Sequence, residues 1–181
     1  MLSILDKLAQ MANGRVLIAL LIVSIPFTVF FEWRKRFLRT YSHMDKTTLD
    51  FTSYTATDAY ELFSKLQERG RQVYAWTEIT VDIIYPIIYS SFLSLLIIYI
   101  FQKCSMNKSL HLLAVLPFIV MLFDYCENSL IAFMLFAYPR QHLTLASIAS
   151  WFTKLKLSLL ALCGVVVIFA LICLVNKLVR S

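Results

Sequence analysis

The sequence predicts an all-α, polytopic membrane protein: a four-helix bundle with an additional interfacial amphipathic helix between its first and second spans. Three observations carry this expectation. Of 181 residues, 60% are hydrophobic and only 15% charged, and the mean hydropathy is +0.73, far from the composition of an ordinary soluble domain. Four apolar runs approach the roughly 20 residues a helix needs to cross the hydrocarbon layer. The runs also lack the polar outer faces that a water-soluble bundle of this size would need.

The first span is expected at about 16–33, VLIALLIVSIPFTVFFEW, with Trp33 suited to the membrane–water interface. Lys7 and Arg15 precede this run, but WRKRFLR follows where a cleaved signal would have small residues, so the run reads as a retained helix. Next comes an extramembrane helical segment over about 55–77, in which Ala59, Leu62, Phe63, Leu66, Val73 and Tyr74 recur at helical spacing. Thr55 or Thr57 can cap its start, Asp58 and Glu61 suit its first turn, and Gly70 is expected to break or bend it. The second span covers about 79–101 and contains Pro86; the third covers about 110–138 and is long enough to tilt or project; the fourth covers about 157–175. QKCSMNKS and PRQHLTLASIASWFTK connect the last three, and such short loops force neighbouring helices to run antiparallel. Residues 1–181 therefore read as one transmembrane domain without internal repeats.

The net charge of +6 belongs to the helix ends, where each basic residue gains on the order of 1 kcal/mol from anionic head groups. Arg34, Lys35, Arg36, Arg39, Arg140, Lys154 and Lys156 fall on one side of the membrane, and Lys7, Arg15, Lys103, Lys108, Lys177 and Arg180 on the other. Counted near the membrane, the balance favours the 34–78 segment on the cytosolic side. WRKRFLR abuts a span and has no companion nucleic-acid motif, so no nucleic-acid partner is expected. The four cysteines form no CxxC pair, and Cys126 reads as a small packing residue. There is no His cluster for zinc and no nucleotide-binding signature, whereas clustered carboxylates admit a divalent cation, Mg²⁺ or Ca²⁺.

The chemistry is expected at FDYCEN, residues 123–128, in the middle of the third span. Asp124 and Glu127, at i and i+3, share a helix face with Asn128. A charged carboxylate at mid-membrane has an apparent insertion cost of roughly 2.5–3.5 kcal/mol, so this face should meet protein or water rather than lipid. Glu78, Asp82, Tyr85 and Tyr89 make a matching stripe at the second span. Helix rise sets Asp82 about one turn inside the membrane and Asp124 and Glu127 about two turns deeper, which predicts a cavity with Glu78 and Asp82 at its mouth and the other pair at its floor. Asp82, Asp124 and Glu127 are the candidate proton-transfer groups. Tyr85, Tyr89 and Asn128 are candidate ligand contacts, although Asn128 also suits plain helix–helix hydrogen bonding.

Three functional classes fit: binding, with transformation, of a lipophilic molecule; proton- or cation-coupled transport; and an accessory or assembly role in a membrane complex. Four spans form one small cavity, so a carrier would be expected to dimerise. IPFTVFFEW at 25–33 and WTEITVDIIYP at 76–86 resemble the four-span sterol isomerase and sigma-2 receptor family. That resemblance implies a lipophilic cavity with Glu32 and Glu78 as its acids, isomerase-type chemistry, and membrane lipids or a lipophilic small molecule as partners. It covers only these two stretches, and FDYCEN has no counterpart in it.

Overall fold

Asn13 starts the first long helix by accepting a hydrogen bond from the Val16 amide at 3.0 Å, which satisfies one of the orphan donors of a helix start. In the computed structural model, which describes residues 2–49 and 53–180, this helix is preceded by a short one. The chain order is α1 (Leu2–Met11), α2 (Gly14–Ser42), α3 (Ala56–Lys65), α4 (Gln67–Glu78), α5 (Val81–Lys103), a 3-10 stretch (Lys108–Val115), α6 (Leu116–Ala137) and α7 (Leu143–Arg180). Four of these units are long and apolar enough to cross a membrane: α2, α5, the 3-10 stretch continued by α6, and α7. The all-helical, four-span expectation holds.

The boundaries differ from the sequence expectation in informative ways. α1 was not anticipated, and α2 and α7 run well past the apolar runs that announced them. A helix continues as long as its faces find partners, and these extensions bury Leu38 and Ser42 of α2 and Ala146 and Ala149 of α7. The 55–77 segment is two helices, and the break falls at Leu66–Gln67, where Gln67 has φ 53°, rather than at Gly70. Gly70 lies inside α4, where a Cβ would meet Leu66 and Tyr41 at ordinary contact distances of 3.4–3.5 Å.

Thr55 begins α3 with a reciprocal cap. Its hydroxyl accepts from the Asp58 amide at 3.2 Å and its amide donates to Asp58 Oδ2 at 2.8 Å. The Thr55 amide holds the Asp58 carboxyl below its usual range. A depressed carboxylate stabilises the fold above its unfolded pKa, and that contribution fades as pH falls through the folded value. Thr55→Ala is expected to cost about 1 kcal/mol, read as faster amide exchange confined to the first turns of α3.

The bundle has two cores. One joins Leu38, Leu62, Phe63, Tyr74, Ile131, Met134 and Ala149, drawn from the end of α2, from α3 and α4, and from the adjoining halves of α6 and α7. The other joins Leu17, Leu95, Ile98, Phe101, Ala114 and Val166 at the opposite end. α6 packs along α7 and α5, whereas α2 packs chiefly on α5 and α4. Between the two cores lies a layer of buried charge.

Candidate functional site

Arg34 is the first centre of this layer. On α2 the residues Phe27, Phe31, Arg34, Leu38 and Ser42 fall on one stripe, and Arg34 is only 1% exposed. Its Nη1 donates to Glu78 Oε1 at 2.8 Å and to Asp82 Oδ2 at 2.9 Å. Glu78 ends α4 and Asp82 lies in the first turn of α5, so one guanidinium ties three helices at a corner. Its Cζ lies over the Phe31 and Tyr74 rings, 4.9 and 5.4 Å from their centres.

Lys156 is the second centre, 6% exposed on α7. Its Nζ donates to Asp124 Oδ1 at 2.9 Å and pairs with Glu127 Oε2. Thr153, one turn earlier, donates to Glu127 Oε1 at 2.7 Å, and Tyr89 of α5 donates its phenol proton to Asp124 Oδ2 at 2.9 Å. Asn128 links the two centres. With its amide nitrogen toward α4 it donates to Glu78 Oε2 at 3.0 Å and to the Asp124 carbonyl at 3.2 Å. The opposite orientation gives one 3.4 Å contact to the Asp82 carbonyl, which Pro86 leaves without its helical donor, so the shorter, charge-assisted arrangement is preferred.

Each cation therefore sits between two carboxylates that would otherwise repel each other. Removing charges from water is costly, and it is sustained only by close counter-charges and further hydrogen bonds, both of which this layer has. Among the described residues no group of three or more His, Cys, Asp or Glu side chains is arranged to hold a metal. The guanidinium and the ammonium lie between the paired carboxylates that the sequence left open to a Mg²⁺ or Ca²⁺.

A cavity of about 390 Å³ opens beside the layer, between α2 and α7, with α5 and α6 behind it. Arg34, Asp82, Tyr85, Tyr89, Asp124 and Lys156 form its polar wall, and Phe31, Phe92, Leu93, Val120, Leu157 and Leu160 its apolar one. The Tyr85 ring packs on Phe27, Phe31 and Tyr89. Glu32 is at the rim, exposed and paired with Lys35 at 2.8 Å. Glu127 is fully buried and lies behind Lys156, away from the cavity lining. Glu78 and Asn128 line a second, smaller cavity of about 270 Å³ with Ile79, Ile83, Tyr125 and Ser129.

The sequence residues are thus brought together, but not in the expected tiers. Asp82 and Asp124 line the same cavity about one helical turn apart in height, since Asn128, one turn from Asp124 on α6, lies 3.4 Å from the Asp82 carbonyl, and the second half of α6 continues past the layer to pack on α4 and α7. Cys126, expected to pack, is exposed. Arg34, Lys156 and Thr153 were missed as site residues, although the stripe through Phe27, Phe31 and Leu38 singles out Arg34 from its basic neighbours. Thr153 and Lys156 likewise share a face at i and i+3 that Lys154 does not. No protein-family model, curated protein or solved structure matches the chain.

Proposed function

We propose that this membrane protein binds a lipophilic, amphiphilic molecule in the cavity between α2 and α7, with the charged layer at the molecule's polar end. The observation that carries this reading is the cavity's two-sided wall: ionised and phenolic groups converge on one part of it, and aromatic and aliphatic groups form the rest. Apolar concavities with a few convergent polar groups are the usual form of a small-molecule site. The chemistry that suits it is proton transfer. Asp124, bonded to Tyr89, takes a proton from one carbon of the ligand and returns it to another, so that no atom is gained or lost, which is the reaction class implied by the sterol isomerase resemblance. Asp82 is the second carboxylate in reach, and Glu127 acts through Lys156 by setting the charge beside Asp124. α3 and α4 lie at the membrane surface beyond the layer, on the cytosolic side that the basic residues favour.

Purified in mild detergent, the wild-type protein is expected to retain one lipophilic species by native mass spectrometry. Leu160→Trp, which fills the apolar wall without touching the ion pairs, should lower its retention about tenfold with the helical content unchanged. A ligand-free wild-type particle, or full retention by Leu160→Trp, would remove the reading.

One observation favours proton-coupled transport as the second reading: four carboxylates share two cations between cavities of about 390 and 270 Å³. Such a cluster suits a relay, and pH-driven flux in liposomes would support it. An accessory role required a partner's basic residue for the acids, and Arg34 and Lys156 supply that charge within one chain. The cavity lining likewise needs no second copy, so a homodimer is not part of the proposal.

A further inference from the structure

The depth of the charged layer can be measured along each span. Arg15 to Arg34 on α2, Lys103 to Asp82 on α5, and Lys177 to Lys156 on α7 each cover about 28–32 Å at 1.5 Å per residue. On the third span, the 3-10 stretch from Lys108 rises about 2.0 Å per residue before α6 takes over, and the distance to Asp124 again comes to about 28 Å. Four independent helices thus set the same separation between a basic level and the charged layer, and a hydrocarbon core is about 30 Å thick.

A second observation agrees. The chain has three tryptophans, and Trp33, Trp76 and Trp151 are 51%, 57% and 63% exposed. Trp33 adjoins Arg34, Trp76 is two residues from Glu78, and Trp151 lies about one and a half turns beyond Lys156. Exposed tryptophans gather where a protein surface passes from lipid tails to head groups.

We infer that the charged layer marks the edge of the hydrocarbon core and that the cavity therefore takes a bilayer lipid, its head at the layer and its chain below, entering sideways between α2 and α7. This rests on the lipid-binding reading and specifies the ligand. A lipid chain leaves tails as apolar as the cavity wall and gains little by entering, so the head must provide the selectivity. Of the layer's groups, Arg34, Lys156, Asp82 and Asp124 line the cavity, with the Lys35–Glu32 pair at its rim, and Glu78 and Glu127 stand behind the two cations, which makes four carboxylates to two cations in the layer as a whole. A phosphate would be repelled by that surplus, whereas a hydroxyl or amine head would donate to it. The preferred ligand is a lipid with a donor-bearing head and no phosphate.

The test begins in phosphatidylcholine vesicles with single-tryptophan variants, the other two tryptophans replaced by Phe. Lipids brominated close to the head group should quench Trp33, Trp76 and Trp151 more strongly than lipids brominated towards the chain end. Any other order, or no quenching at all, overturns the placement while leaving the retained ligand of the previous section intact. Next, a diacylglycerol with a diazirine beside its glycerol should label the segment from Tyr85 to Asp124 about tenfold more than a phosphatidic acid with the same chains. Equal labelling, or more by phosphatidic acid, overturns the assignment of the head.

Discussion

Lys156→Met is expected to destabilise the protein by about 3–5 kcal/mol, the usual range when one partner of a buried ion pair is removed. The methionine keeps the length and apolar contacts of the lysine stem, so the loss comes from charge. Asp124 and Glu127 would then face each other across one turn of α6 with no cation between them. The expected readout is a fall in the thermal midpoint in detergent. Glu127→Gln in the same chain should restore much of that loss, because the amide can still accept from Thr153 and brings no charge. The double-mutant cycle isolates the coupling, which should exceed about 1 kcal/mol. Wild-type stability in Lys156→Met would mean that the two acids carry no charge needing compensation.

Arg34→Met is expected to have an effect of similar size, about 3–5 kcal/mol, by leaving Glu78 and Asp82 without their shared donor. Arg34→Lys should recover only part of it, since an ammonium lacks the planar, delocalised charge that arginine holds beside Phe31 and Tyr74. The local readout is protease cleavage in the residues that follow α2, which should accelerate in Arg34→Met before the α5–α7 region is cut. Equal stability of the Arg, Lys and Met forms would show that the corner is held by packing alone.

The apolar runs made the spans legible, since length and hydropathy suffice for a helix in lipid. The layer was half legible. An acid or amide in an apolar run stands out, and Asp82, Asp124, Glu127 and Asn128 were found that way. Arg34 and Lys156 sit at the ends of runs among other basic residues, where a charge looks ordinary until the face it occupies is known. The depth error had the same origin. Counting inward from Tyr138 assumes that the helix stops where the lipid does, whereas α6 continues into a second core whose partners, α3 and α4, are far away in sequence. The turn at Gln67 was hidden because a non-glycine residue adopts the left-handed conformation there. Gly70, the obvious candidate, keeps a negative φ inside α4.

α2 is the loosest of the four spans in its attachment. Only Leu17, Arg34, Leu38 and Ser42 are buried along it, while its neighbours bury residues throughout. The expected order of assembly follows from this: α5, α6 and α7 would associate first, and α2 would join their flank last, when the guanidinium reaches the acidic corner. A chain arrested at that stage would be fully inserted yet lack one side of its binding chamber.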